Sequence, residues 1–235
     1  MNNETLTIRT MARALIAGVS MFTCAAALAQ TPEVAKGDTI AHAGVPPSVP
    51  ACIACHGAAG EGNAQAGFPR LAGLSAGYLT AQMNDFASGA RQQPVMAPIA
   101  KGMTPDARAS VSAYFASLPL PVSTSTSAQK PDALGEQLAL HGNWKNGVPA
   151  CVSCHGDQGS GVGDAFPAIA GQPAAYIKAQ LAAWKTSTRA PGPLGLMSAV
   201  AKRLSDKEAD AAATYFASLP AAQPAPENNT QGAAR

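Results

Sequence analysis

The pentapeptide Cys-x-x-Cys-His occurs twice, as Cys52-Ile53-Ala54-Cys55-His56 and as Cys151-Val152-Ser153-Cys154-His155, each time followed by Gly. It is the attachment signature of c-type haem. Two thiols three residues apart on one helical turn can each bond one porphyrin edge, and the next residue, His, then supplies the proximal imidazole to iron. A chain bearing two such motifs has to build its core around two flat apolar discs. Paired Cys-x-x-Cys knuckles can instead hold zinc, but they usually lie roughly 15–20 residues apart. Here 95 residues separate Cys55 from Cys151, and each pair carries its own His. A thioredoxin-type redox pair needs an alternating strand–helix pattern, which is missing. Disulfides between i and i+3 cysteines seldom staple a fold. Zinc and disulfides thus remain as disfavoured alternatives to two covalent haems.

Haem attachment of this kind takes place outside the bacterial cytoplasm, and the N-terminus reads as an export signal. Arg9 and Arg13 precede a mostly apolar run, Ala14 to Leu28, and Ala27-Leu28-Ala29 is a small-x-small cleavage site. Cleavage after Ala29 is expected to discard Cys24 and to leave a mature chain from Gln30 with a net charge near +1. The alternative, an uncleaved anchor, is disfavoured because the run is short and rich in Ala. So weak a charge implies neither nucleic acid nor a membrane surface as partner. Aromatic residues make up only 5% of the chain, a thin core for ordinary globular protein unless porphyrins contribute to it.

The two halves repeat. The haem motifs are offset by 99 residues; beyond them the offset becomes 98, so that Phe68-Pro69 returns as Phe166-Pro167 and Leu71-Ala72-Gly73 as Ile169-Ala170-Gly171. Tyr78, Gln82, Phe86 and Arg91 match Tyr176, Gln180, Trp184 and Arg189. A three-residue insertion then raises the offset to 101, and Tyr114-Phe115-Ala116-Ser117-Leu118-Pro119 returns as Tyr215 to Pro220. Leu120 to Pro131, rich in Pro, Ser and Thr, reads as a linker, and residues 221–235 as a disordered tail. The expected organisation is therefore a signal peptide at 1–29, a first domain at 30–119, a linker at 120–131, a second domain at 132–220 and the tail.

Each half reads as helical. Helices are expected near Glu33–His42 and Asp132–His141, and over Ser75–Ser88 and Gln172–Thr186, where apolar residues recur at helical spacing. The last helix of each half has an N-terminal signal, Thr104-Pro105 in one and the capping box Ser205-x-x-Glu208 in the other. No alternating stretch is long enough for a sheet, so the fold class is all-α.

A His-ligated iron lacks one axial partner, usually Met or a second His. Under the offsets Met83 falls on Leu181 and Met103 on Leu204, as ordinary core positions do. Met96 falls on Met197, a methionine matched by a methionine, and both lie in Pro-rich segments before the last helix. They are the expected distal ligands, the alternative being simple packing against the ring. His42 and His141, each ten residues before its haem motif, are either helix-end histidines or distal candidates. Pro69 and Pro167 either present a carbonyl to the Nδ1–H of His56 and His155 or form a rigid turn. Arg91 and Arg189 either pair with haem propionates or are solvated. Tyr78 and Tyr176 read as core, and Lys101 and Lys202 either help to dock a partner or are simply exposed.

With these features in place, the chain resembles the dihaem class I cytochromes of the cytochrome c4 type. The resemblance spans roughly residues 32–220. It rests on the duplicated order Cys-x-x-Cys-His-Gly, Phe-Pro-x-Leu/Ile-Ala-Gly, Tyr-x-x-x-Gln, and Met eight residues before Thr104 or Ser205. It implies two tandem class I cytochrome c domains, each wrapped around one covalent haem c held by Cys52 and Cys55 or by Cys151 and Cys154. It further implies His56 with Met96 and His155 with Met197 as iron ligands, a periplasmic location, and electron exchange with respiratory partners such as a terminal oxidase. The halves depart from each other before the haem motif, at Gly44–Pro50 against Asn143–Pro149, so the two haem edges can differ in partner choice.

The leading expectation is a one-electron carrier without a small-molecule substrate, not an enzyme. A haem subunit of a dehydrogenase complex is the alternative. A dihaem peroxidase or gas sensor needs a five-coordinate iron, which the matched methionines argue against.

Overall fold

Helix starts are set by residues that satisfy the free backbone N–H groups of the first turn. The computed structural model describes residues 31–121 and 132–223. The expected signal peptide lies outside these, as do residues 122–131 of the expected linker and 224–235 of the expected tail. The first half contains α1 (Pro32–Ala43), α2 (Ile53–His56), α3 (Ala76–Ser88), α4 (Met96–Lys101) and α5 (Pro105–Ser117). The second repeats them as α6 (Ala133–His141), α7 (Val152–His155), α8 (Ala174–Lys185), α9 (Leu196–Arg203) and α10 (Asp206–Ser218). Among the described residues only isolated β-bridges occur, no sheet, and no helix is long and apolar enough to cross a membrane.

The expected helices are present, with their ends moved by capping. Thr31, Ser75, Thr104, Asp132 and Ser205 each accept a backbone N–H with their side chain and stand just outside the helix they cap. The helix expected from Gln172 starts at Ala174, because Pro173 occupies its cap and Gln172 is used elsewhere. At α10 the capping box is complete: Ser205 Oγ accepts from the Glu208 N–H, and Glu208 Oε2 accepts from the Ser205 N–H at 2.8 Å. Glu208 Oε1 also accepts from Asn143 Nδ2 at 2.8 Å, which ties α10 to the segment ahead of the second haem motif.

The N- and C-terminal helices of each half pack closely, α1 on α5 and α6 on α10. Small residues allow it: a Cβ added at Gly37 would lie 2.0 Å from the Ser110 carbonyl oxygen, and one at Gly135 2.2 Å from that of Ala211. Tyr114 meets Phe115 edge-on at 5.2 Å, and Tyr215 meets Phe216 at 5.3 Å, closing the same corner of each half.

The halves join along α3, α8 and the segments that follow them. Arg91 and Arg189 face each other in an antiparallel bridge, flanked by Gln92 N–H to Thr188 O at 2.8 Å and Ala190 N–H to Ala90 O at 2.7 Å. The Arg91 guanidinium donates to Gln82 Oε1, Tyr176 Oη and Gln180 Oε1, while that of Arg189 donates to Gln180 Oε1 and Gln82 Oε1, at 2.6–3.1 Å. Each also stacks on an aromatic ring of its own half, Arg91 on Phe86 at 4.4 Å and Arg189 on Trp184 at 4.0 Å. Burial pushes the Tyr78 phenol above its ordinary range. At Tyr176 burial acts the same way, but the charges of Arg91 and Arg189 and the Arg91 hydrogen bond outweigh it and lower the pKa.

A second joint is made by Arg70, only 1% exposed. Its guanidinium donates to the carbonyls of Ala72 in its own half and Ala170 in the other. Its backbone N–H and C=O pair with the Gln172 side-chain amide at 3.1 and 2.9 Å. Burial lowers the Arg70 pKa to about 10, so the cation persists at neutral pH.

Two outcomes follow from these contacts. Gln172→Ala leaves two buried backbone groups of Arg70 unpaired and should cost about 1–3 kcal/mol of stability in chemical denaturation. Glu208 is held below its ordinary value of 4.5, first by the Ser205 N–H and then by the Ser205 and Asn143 side chains. A depressed carboxylate stabilises the fold above its unfolded pKa, and that contribution is lost as pH falls through the folded value. The stability gap between wild type and Glu208→Gln should therefore be full above pH 4.5 and close on acidification, as urea titrations at several pH values would read.

Candidate functional site

In each half one helical turn presents two thiols and an imidazole together. Cys52 precedes α2, the His56 N–H bonds the Cys52 carbonyl at 3.0 Å, and Cys55 and His56 end the helix. Cys151, Cys154 and His155 repeat this on α7, where the His155 N–H bonds the Cys151 carbonyl at 3.0 Å. All four cysteines are free thiols, and the two pairs line separate cavities. Among the described residues no group of three or more His, Cys, Asp and Glu side chains is arranged to hold a metal ion. Burial raises the thiols of Cys52 and Cys151 to about 11, so both are protonated at neutral pH.

Both imidazoles are buried and held by a backbone carbonyl. His56 Nδ1 lies 3.0 Å from Pro69 O, and His155 Nδ1 lies 2.8 Å from Pro167 O. Of the two readings of these prolines, the carbonyl contact is the one present. It makes Nδ1 the donor and leaves Nε2 with its lone pair free for a metal. Burial lowers both histidine pKa values and the proline contacts only partly oppose it, so the rings are neutral. Phe68 and Phe166 stand beside the imidazoles, with ring centroids 6.1 and 6.4 Å away.

The loop that brings each proline back depends on a glycine the sequence reading passed over. The Gly62 N–H bonds the His56 carbonyl at 2.7 Å, and the Gly161 N–H bonds that of His155 at 2.6 Å. Both have positive φ, +83° and +90°. A Cβ on Gly62 would fall 2.6 Å from the Arg70 nitrogen and 2.7 Å from the Pro69 carbonyl carbon, and one on Gly161 2.6 Å from the Ala168 nitrogen. Any side chain here would push the proline segment off the histidine. The signal was present, since Gly62 and Gly161 keep the 99-residue offset of the haem motifs.

The cavities beside these motifs enclose about 1350 Å³ and 1150 Å³, open mouths included, and their walls are largely apolar. Cys52, Cys55, His56 and Met96 all line the first; Cys151, Cys154, His155 and Met197 all line the second. Met96 opens α4, and Met197 is the second residue of α9. Met83 and Met103 also line the first cavity, where Leu181 and Leu204 take the equivalent places in the second. His42 and His141 sit exposed in the last turns of α1 and α6 and line neither cavity. Thiols, a neutral imidazole and a thioether around an apolar slot form a donor set that fits a covalent haem in each half.

Arg91 and Arg189 are not solvated, as one reading of them held. They are 5% and 8% exposed because α3 and α8 pack over them from both halves. Each borders the cavity of its own half while its Nη atoms are taken up by Gln82, Gln180 and Tyr176. Tyr78, which packs against the first core as expected, and Tyr176, which accepts from Arg91, also belong to this seam, and both line the two cavities.

Comparison with known proteins agrees with this geometry. The cytochrome c family profile matches residues 34–119 and again 135–220. A thiosulfate dehydrogenase electron acceptor from Thiomonas intermedia (strain K12) is 46% identical over 183 residues, covering 76% of this chain and 82% of the relative. The solved thiosulfate dehydrogenase (TsdBA) of Marichromatium purpuratum superposes with a TM-score of 0.74 at 43% identity; the match covers 80% of this chain but only 40% of that longer one. Reduced cytochrome c4 from Pseudomonas stutzeri superposes with a TM-score of 0.68 at 31% identity, covering 79% of this chain and 97% of that one. Two covalent haem c groups, one per motif, go with this assignment, and so does electron transfer rather than catalysis. The chain belongs to the cytochrome c family, as a dihaem protein of the cytochrome c4 type with two tandem helical domains.

Proposed function

We propose that this chain is a periplasmic dihaem carrier that takes electrons from a thiosulfate dehydrogenase and passes them singly to a membrane respiratory complex such as a terminal oxidase. The similarity to a thiosulfate dehydrogenase electron acceptor, 46% over most of both chains, carries the choice of donor. The reading includes export by a signal peptide at 1–29, domains at 30–119 and 132–220, and a linker at 120–131.

Each bound haem supplies a one-electron ferric/ferrous couple. In this reading Cys52 and Cys55, and Cys151 and Cys154, form the thioethers that fix the ring edge. His56 and His155 ligate through Nε2, held in orientation by Pro69 and Pro167. Met96 and Met197, which line the same cavities, would hold the iron through their thioether sulfurs, and such a ligand would favour its reduced state. The apolar walls keep water away, and the backbone-held imidazoles limit rearrangement when the charge changes.

Three measurements test this. The purified mature protein should exceed its polypeptide mass by two haems, neither removable by acid–acetone extraction. Thiosulfate and a thiosulfate dehydrogenase together should reduce both haems, and no reduction would overturn the donor assignment. Met197→Ala should open one iron, lower the potential of that haem and let carbon monoxide bind its reduced form readily. Wild type should bind carbon monoxide slowly or not at all, and Met103→Ala should match wild type. Ready binding to wild type at one haem would sink the carrier reading in favour of an enzyme or sensor.

A further inference from the structure

The halves differ in the segment before the haem motif and at the ends of the helix carrying the matched methionine. In the first half that segment is a short turn closed by reciprocal hydrogen bonds between Val45 and Val49, and it carries no charge. It packs on the end of α4, where a Cβ on Gly102 would meet Val49 Cγ2 at 2.8 Å. Lys101 ends α4, and the Arg108 guanidinium donates to the Ala100 carbonyl at 3.2 Å.

In the second half the turn is rebuilt as a 3-10 turn over Trp144–Asn146, and α9 ends on Lys202 and Arg203. A Cβ on Gly147 would lie 3.2 Å from Arg203 Nε, so the arginine lies against this turn. Trp144 is 73% exposed, and Lys145, Lys202 and Arg203 are all exposed. Among the described residues Lys36, Lys178 and Lys185 have carboxylate partners, whereas none of these three cations does. At the other end of α9, about 12 Å away at 1.5 Å per residue, the three-residue insertion raises Leu194 to 92% exposure. Leu196, next to it, is exposed and also lines the second cavity.

We propose that the second half docks a redox protein through this edge of α9. Trp144, Leu194 and Leu196 form the apolar contact, and Lys145, Lys202 and Arg203 meet an acidic rim on the partner. Three neighbouring cations without carboxylates produce a local positive field that steers an acidic surface and is screened by salt. Trp and Arg, both exposed here, are residue types in which interface binding energy concentrates. In the first half the equivalent edge presents Lys101, the half-buried Arg108 and the exposed Val95, with no counterpart of Trp144, which makes it an internal control. This deepens the carrier reading and rests on it for what crosses the contact, with the thiosulfate dehydrogenase as the protein that docks here.

The test uses the haem-loaded protein and purified thiosulfate dehydrogenase. Carbodiimide, which joins lysine to carboxylate, should link the two through Lys145 and Lys202. Combined Lys145→Glu, Lys202→Glu and Arg203→Glu should raise the KM for the cytochrome about ten-fold or more at low ionic strength, with the difference fading as salt screens it. Trp144→Ala should raise KM at every salt concentration, and Lys101→Glu should leave it unchanged. Haem absorbance and circular dichroism would show that each variant is folded. If wild type is reduced but the triple variant has an unchanged KM, or if crosslinks fall on Lys101, the docking face is wrong while the donor assignment stands.

If wild type is not reduced, the donor assignment falls and a second probe decides the face. Hexacyanoferrate(III), a trivalent anion, takes one electron from a ferrous haem and leaves as hexacyanoferrate(II), with no proton exchanged. At low salt the triple variant should slow one of the two oxidation phases. Two unchanged phases would overturn the basic face as well.

Discussion

Each half is organised around one hydrogen bond, from a histidine Nδ1–H to a proline carbonyl. The bond fixes the imidazole tautomer and so leaves Nε2 as the free ring nitrogen. It also sets a demand on the backbone. The chain must leave the helix carrying the histidine, turn, and return within 12 or 13 residues to lay a carbonyl beside it. Gly62 and Gly161 sit where those two passes come closest, and Phe68 and Phe166 are carried in beside the ring by the same return. Loss of such a supporting contact commonly costs about 10–100-fold in metal affinity. That is large for a bond involving a main-chain oxygen that no side-chain substitution can remove.

Much of this was legible in the sequence because the haem motif is local and the duplication supplies an internal alignment. The last helix of each half announced itself by a short-range cap, at Thr104 and Ser205, and α3 by apolar residues at helical spacing. The matched methionines stood out because Met83 and Met103 have leucine counterparts, and the structure places all of these in equivalent positions. What could not be read depends on contacts between distant segments. Arg91 and Arg189 look like ordinary surface cations in sequence, yet they are buried because each finds a glutamine acceptor across the seam. The Arg70–Gln172 pair has no repeat counterpart: the offset puts Ala168 opposite Arg70 and Leu74 opposite Gln172. Nothing in either half alone predicts that joint.

The seam also explains how few charges are needed inside it. Two guanidinium groups are buried without a carboxylate as direct hydrogen-bond partner, which would be costly for isolated ions. Their donors are met by amide and phenol oxygens, and each cation also lies on an aromatic face. The arrangement borders both cavities, so the polar joint between the domains and the edges of the two sites are one structure.

Arg91, Gln82 and the backbone beside them meet Arg189, Gln180 and theirs, which is one surface meeting its own copy. Such an isologous contact is what holds symmetric homodimers together. Carried on one chain, the two copies make that contact intramolecularly, at a high effective concentration. Copies on one chain, unlike those of a homodimer, need not be identical. Along the seam a change in one half has to suit its image in the other, so Tyr, Gln and Arg stay matched there. On the outer faces no image exists, and there one copy has a plain Val-Pro-Pro-Ser-Val turn while the other has Trp144 and its basic neighbours.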